Sequence, residues 1–303
     1  MRKIRLGISS CLLGNPVRYD GQHQRNAFLC DVLEPLVEYV PVCPEVECGL
    51  PVPRESMRLV GDPAAPRLVT NFTGRDLTDQ MNSFVARRLD ELEKEDLDGF
   101  VFKKDSPSSG LERVKVFNAK GSPVKAGRGL FAGAFIARFP QLPVIEDGML
   151  NDRFLRERFL NRIFAAARRR ELDPAGNRRR QLSDFQARHK LTLLCHAPGR
   201  YPELGRLAAT GDFAAYFAKL DELLALRPTL AKHINVMHHI LGYFKNDLES
   251  WEKQEMLDCI EACRRNRTPL AVPLTLLRHY VRKYHQTYLL EQTYWELLGP
   301  YYL

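Results

Sequence analysis

The chain has 303 residues, 45% hydrophobic and 27% charged, which are globular proportions that exclude a disordered or collagen-like chain, and its length predicts about two domains. Seven cysteines, at Cys11, Cys30, Cys43, Cys48, Cys195, Cys259 and Cys263, form an odd and irregular set that argues against a secreted disulfide scaffold. No apolar run approaches the roughly 20 residues needed to cross a bilayer, so the expected address is the cytoplasm with no membrane partner, while a net charge of +8 leaves room for a polyanionic one. Arg5 to Ser9 reads as a short strand, Phe28 to Val37 as a helical period, and Tyr39 to Cys43 as a second strand. Leu77 to Leu97 predicts a helix closed by Asp98-Gly99 before the strand Phe100-Val101-Phe102. A third unit runs from a helix-like stretch at Gly129 to a strand at Leu142 to Ile145. Strands alternating with helices imply right-handed crossovers, so the first fold class is α/β: a Rossmann-like, open, mostly parallel sheet with helices on both faces.

From Asn151 only helical patterns follow, at Phe154 to Arg170, Leu182 to Cys195, Phe213 to Leu226, Ala231 to Phe244, Trp251 to Arg264 and Leu274 to Leu297. The boundary therefore falls near residue 150, with an α/β domain over 1–150 and an all-α domain over 151–303. Tyr280, Tyr284, Tyr288, Tyr294, Trp295, Tyr301 and Tyr302 read as helix packing in the tail. His233, His238 and His239 share one segment but lack a carboxylate at the spacing of the HExxH zinc motif, and they too read as helix packing or surface.

Three loops follow three predicted strands: Ser9-Ser10-Cys11, Cys43-Pro44-Glu45 and Lys104 to Gly110. Ligands of open parallel sheets bind outside the carboxyl ends of the strands, so topology brings Cys11, Cys43 and the third loop together. Two thiols at one crevice suit zinc, copper or an iron–sulfur cluster, or are small buried apolar residues. Glu45, two residues from Cys43, is a candidate to move protons, or a solvated loop residue or helix cap, and Asp105 and Ser106 are candidates to orient substrate or water, or simply form a turn. Arg18 and Tyr19 offer a phosphate contact and a stacking surface, or belong to an Asp-Gly turn with an exposed arginine. Gly127-Arg128-Gly129 imitates a phosphate-cradling loop, though no Walker lysine accompanies it. The runs Arg168-Arg169-Arg170 and Arg178-Arg179-Arg180 are candidates for phosphate neutralisation, or are solvated faces.

SSCLLGNPVRYDG at 9–21, PVCPEV at 41–46, GLPVPRE at 49–55 and DSPSSG at 105–110 resemble the iron–sulfur thiouracil desulfidase family. The stretches FQARHKLTLLCHAPGRYPELG at 185–205, HINVMHHILGYFKNDL at 233–248 and PLAVPLTLLRHY at 269–280 resemble the YbgA-like helical domain fused to it in bacterial tRNA 4-thiouridine desulfidases. The resemblance implies a 4Fe-4S cluster held by three cysteines, with one iron open to the sulfur of a thiolated base. Cys11 and Cys43 fall on the first two ligand positions. At the third, the family has Cys before Gly where this chain has Ser109. Either a cysteine has been replaced by design, or the cluster is weak or absent; Cys48 is the runner-up ligand.

The implied reaction is non-redox hydrolysis, in which sulfur leaves 4-thiouridine in tRNA as sulfide and uridine remains. Glu45 would carry protons while Asp105 and Ser106 assist, and tRNA would be the partner, with no obligate protein partner evident. The alternatives are a desulfidase of free thiouracil-type bases, and a non-catalytic RNA-binding or stress-response module with a vestigial metal site.

Overall fold

A computed structural model describes residues 3–173 and 175–297. Tyr301 and Tyr302 of the aromatic tail lie outside them. The chain divides into two units, Met1–Asn151 and Asp152–Leu303.

The first unit contains strands β1 (Ile4–Ser9) and β2 (Val37–Val42), a short helix α1 (Pro44–Glu47), strands β3 (Met57–Asp62) and β4 (Ala65–Thr70), and helix α2 (Thr78–Glu93). Strands β5 (Gly99–Phe102), β6 (Val114–Phe117) and β7 (Pro123–Gly127), helix α3 (Leu130–Arg138) and strand β8 (Val144–Glu146) complete it. One sheet has the order β2-β1-β5-β8 with every pairing parallel. The chain runs outward from β1 to β2 on one side, then returns to place β5 on the other. The direction of winding therefore reverses at β1, and the loops after β1 and β5 part there to leave a crevice.

Phe100 and Phe102 point to one face of this sheet and stack at 4.3 Å between ring centroids, with Phe131 and Phe135 of α3 packed against them. Met81, Phe84, Val85, Leu89 and Leu92 of α2 join the same core. A Cβ at Gly7 would lie 2.2 Å from the Phe100 ring, so only glycine lets β1 pass beneath it. Ile4, Leu6 and Ile8, on the alternate side of the strand from Gly7, are buried on the opposite face, and Leu29 and Leu33 are buried as well. The segment expected as an ordinary helix at 28–37 is one wide π turn, Phe28–Leu33, tightening into a 3₁₀ turn, Glu34–Leu36. Pro35 has no amide hydrogen to continue an α ladder.

The first unit also holds a second sheet that the sequence pattern did not predict, ordered β4-β3-β6-β7. Its strands pair antiparallel as β3 with β4 and β6 with β7, and parallel as β3 with β6. In β3 only Leu59 is fully inside and in β7 only Gly127 is, so the alternation that announces a strand is nearly absent.

The second unit is entirely helical among its described residues: α4 (Arg153–Arg169), α5 (Arg178–Arg188), α6 (Lys190–His196), α7 (Tyr201–Thr210), α8 (Phe213–Ala225), α9 (Leu230–Gly242), α10 (Ser250–Arg264), α11 (Ala271–Lys283) and α12 (Thr287–Leu290). Asp152 caps α4 by accepting from the amides of Phe154 and Leu155. Among the described residues, apolar side chains of α4, α5, α7 and α8 cluster together, and those of α6, α9, α10, α11 and the C-terminal turns form another cluster. Two long expected helices are broken. That at 182–195 ends at His189, and that at 274–297 stops at α11, with His285 at φ +49 beyond it. None of the described helices is long and apolar enough to cross a membrane.

Candidate active site

The carboxyl ends of β1, β2 and β5 open onto a cavity of 560 Å³. The β1 loop brings Cys11, the β2 loop brings Cys43 and Glu45, and the β5 loop brings Asp105, Ser106, Ser108 and Ser109; Arg18 and Tyr19 also line it. Cys48 does not line the cavity. Its thiol turns back to donate to the Glu45 carbonyl at 3.2 Å, and its side chain packs on the α2 and α3 core. Of the two thiols in that loop, Cys43 is the one at the crevice.

Burial pushes the Cys11 thiol up to about 11; Lys103 offsets part of this, and neighbouring Cys43 adds to it. Burial likewise raises Cys43, against the opposing effect of the Val46 amide. At neutral pH both are therefore protonated thiols, and a metal binding there must displace the protons. Lys103 is itself tethered: its Nζ lies 3.0 Å from Asp147 Oδ2, and the Lys104 amide donates to Asp147 Oδ1 at 2.7 Å. Asp147, just after β8, thus fixes the start of the β5 loop.

Glu45 sits in the first turn of α1, which opens with Pro44. Its Oε2 accepts from Arg54 Nε at 3.0 Å and also from Arg54 Nη2, while its Oε1 accepts from Ser108 Oγ at 2.8 Å. Ser108 Oγ is in turn 3.0 Å from Ser106 Oγ. A hydrogen-bonded chain therefore runs Ser106, Ser108, Glu45, Arg54. The Arg54 side chain is 5% exposed, and its Nη2 donates further to the Val17 carbonyl at 3.0 Å. Arg54 and Ser108 were not singled out from the sequence, although both stand inside the motifs that carry the family resemblance.

The β5 loop is shaped by its own polar atoms. Ser106 Oγ accepts from the amides of Ser108 and Ser109, and the Gly110 amide donates to the Ser106 carbonyl at 2.7 Å. Asp105 adopts φ +60, a left-handed conformation that Asp tolerates better than most residues. The first amides of α3 donate to the carbonyls of Pro107 and Ser108. Gly129 and the start of α3 therefore anchor this loop: the Gly129 amide donates to the Gly110 carbonyl, and these amides are spent on the chain and not on a phosphate. A Cβ at Gly129 would lie 2.5 Å from the Ser108 carbonyl, which makes glycine obligatory at the contact.

Arg18 points toward Asp20 and Gln24, and stands 5.8 Å from the Tyr19 ring, itself 44% exposed. The basic runs belong to the second unit. There Arg169, Arg170, Arg178, Arg179 and Arg180 are exposed, with Arg169 over the Phe217 ring and Arg178 over Phe213. Arg168 is a correction. It is buried, bonded to Glu296, and lies 3.3 Å from His189 Nε2, so its guanidinium is spent inside the fold and cannot meet a phosphate.

The donor chemistry of the cavity fits a three-cysteine iron–sulfur cluster at two positions and departs from it at the third. Cys11 and Cys43 offer soft sulfur, whereas Ser109, 4% exposed at the cavity wall, offers a hydroxyl that hardly ionises at neutral pH.

The 2-thiouracil desulfurase family matches residues 6–147, and the family described as a protein of unknown function, DUF1722, matches residues 190–298. The uncharacterized protein YbgA of Escherichia coli (strain K12) is 32% identical over 146 residues, covering 46% of this chain and 86% of YbgA. Among solved structures, the [4Fe-4S]-dependent thiouracil desulfidase TudS is similar, with 29% identity, a TM-score of 0.41, and coverage of 50% of this chain and 95% of TudS. The chain belongs to the family of YbgA, and joins a 2-thiouracil desulfurase domain to a DUF1722 domain.

Proposed function

We propose that the first unit removes sulfur from a thiolated uracil, and that its substrate in the cytoplasm is 4-thiouridine in tRNA, converted to uridine. The observation that carries this reading is the placement of Glu45, with Ser108 and Arg54, at the wall of the same cavity as Cys11 and Cys43. The exchange is a hydrolysis: water adds its oxygen to the carbon, the carbon–sulfur bond breaks, and sulfur departs with the protons as sulfide. No electrons are gained or lost.

Glu45 takes a proton from the attacking water and returns one to the leaving sulfur. Arg54 fixes one carboxylate oxygen, so that the other, on Ser108, keeps a set orientation. Ser106 and Ser108 offer hydroxyls that hydrogen-bond either water or the base edge. Tyr19 presents a face on which a base can stack, and Arg18 a charge for its phosphate. A 4Fe-4S cluster held by Cys11 and Cys43 would supply a Lewis acid toward the thiocarbonyl sulfur. The second reading, an RNA-binding module with a vestigial metal site, is favoured by one residue, Ser109.

Anaerobic reconstitution of the chain and of Ser109→Cys, followed by iron counts and sulfide release from thiolated tRNA and from free thiouracil, separates these readings. The proposal expects low iron in the parent chain, a full cluster in Ser109→Cys, and sulfide released from tRNA. A full cluster with no sulfide from either substrate defeats it in favour of the module. Release from the free base alone defeats only the assignment of tRNA.

A further inference from the structure

Away from the cavity, in the second unit, three side chains from three helices meet in the interior. Glu157 comes from α4, Cys195 from α6 and His233 from α9, and they are 5%, 0% and 0% exposed. One ligand atom from each lies within 4.8 Å of the others. Glu157 Oε2 is 3.1 Å from His233 Nε2, and Glu157 Oε1 is 3.8 Å from Cys195 Sγ. Zinc bonds of about 2.0–2.3 Å in a tetrahedron set neighbouring donors about 3.3–3.8 Å apart, so two of these separations are already close to that edge.

We infer that Glu157, Cys195 and His233 form a zinc site that ties α4, α6 and α9 together. The donor set selects the ion. Imidazole nitrogen and thiolate sulfur favour zinc over magnesium or calcium, which take oxygen. Charge balances as well: on binding, Cys195 gives up its thiol proton, and one thiolate with one carboxylate neutralises a divalent ion, as a buried site requires. His233 is oriented as metal-bound histidines usually are. Its Nδ1 is engaged by the Tyr294 hydroxyl at 2.8 Å, which leaves Nε2 toward Glu157. His238 and His239 play no part in the set. Because the three ligands sit on separate helices, binding to the folded unit alone would raise its stability. Nothing in this site depends on the desulfidase reading.

The test uses the full chain with Cys11→Ser and Cys43→Ser, which removes the thiols of the other cavity. The metal-free protein is titrated with Co²⁺ and then Zn²⁺, followed by absorption and thermal unfolding. One equivalent of cobalt should give thiolate-to-metal charge transfer and tetrahedral d–d bands, one equivalent of zinc should displace it, and zinc should raise Tm. Cys195→Ser should abolish the charge-transfer band, and His233→Gln should weaken zinc binding at least tenfold. No stoichiometric binding, or an unchanged cobalt spectrum in Cys195→Ser, overturns the proposal. If neither variant folds, X-ray absorption of the zinc-loaded parent decides: one sulfur at about 2.3 Å with nitrogen or oxygen at about 2.0–2.1 Å supports the site, and a shell with no sulfur or several overturns it.

Discussion

Glu45 is held from both oxygens, and the two contacts predict different failures. In a Ser109→Cys background, Glu45→Gln keeps the size of the side chain and its contact with Ser108 but cannot take a proton, so turnover should fall roughly 10²- to 10⁴-fold with iron content unchanged. Loss of iron instead would make Glu45 a structural residue, and unchanged turnover would remove it from the chemistry. Ser108→Ala deletes one hydrogen bond to a group that stays competent, and should cost roughly 5- to 30-fold in turnover, the equivalent of about 1–2 kcal/mol. Arg54 belongs to a different class, since its side chain is buried and removing it leaves the Glu45 carboxylate without its charged partner. Breaking a buried pair of this kind costs about 3–5 kcal/mol, so Arg54→Met should show first as a lowered Tm. Sequence reading reached Glu45 because it lies two residues from Cys43, but Ser108 is 63 residues away and becomes its partner only once β2 and β5 both pair with β1. No local pattern carries that information.

At the scale of elements, the legible parts were the strands of the parallel sheet. β1, β2, β5 and β8 show as apolar runs between turn residues, and once they are parallel the meeting of Cys11, Cys43 and the β5 loop follows from topology. The hairpins of the second sheet were not legible, because their exposed strands carry charge and their turns lack the usual Asn-Gly pair: β3 and β4 are joined by Pro63-Ala64, with Asp62 Oδ1 accepting from the Ala64 amide at 2.9 Å. The break between α5 and α6 escaped for another reason, since His189 interrupts a helical period without breaking its polarity. His189 is fully buried, stacked on Phe185 at 4.0 Å, and bonded to the Phe185 carbonyl through Nδ1. Burial and then Arg168 push it down to about 3, while burial holds His196 down to about 4 despite the opposing pull of Glu157. Both histidines are therefore neutral in the fold and take a proton only when the chain unfolds. Stability should be flat above about pH 6.5 and fall as pH drops toward 4, by about 1.4 kcal/mol per pH unit for each histidine. Denaturant unfolding at several pH values, with His189→Gln showing a shallower decline, checks this. In the first unit, Gly129→Ala should cost about 1–3 kcal/mol by forcing the β5 loop off the start of α3, visible as a lowered Tm.

For the whole molecule, charge is where the proposed reading of tRNA as the substrate meets its test. A net charge of +8 is spread over the chain, but Arg169, Arg170, Arg178, Arg179 and Arg180 are concentrated at one end of α4 and the start of α5, all exposed. Asp184, 3.8 Å from Arg180 in an exposed i,i+4 pair worth little, and Asp221, near enough to feel the charge of Arg169, partly offset them. Arg169 and Arg178 stand over the Phe217 and Phe213 rings, at 4.7 and 5.7 Å from the ring centroids. On the proposed reading these guanidinium groups would neutralise tRNA phosphates without reading bases, so binding should depend on salt and not on the thiolated nucleotide. Replacing all five by glutamine should weaken modified and unmodified tRNA alike, and should flatten the slope of log affinity against log salt by about 0.7–0.9 for each phosphate that is no longer neutralised. In the Ser109→Cys background, sulfide release from free thiouracil should stay the same, because that base carries no phosphate. An unchanged salt slope would make these arginines a solvated face. A weakening confined to thiolated tRNA would make them readers of the modification, and the phosphate assignment would be wrong.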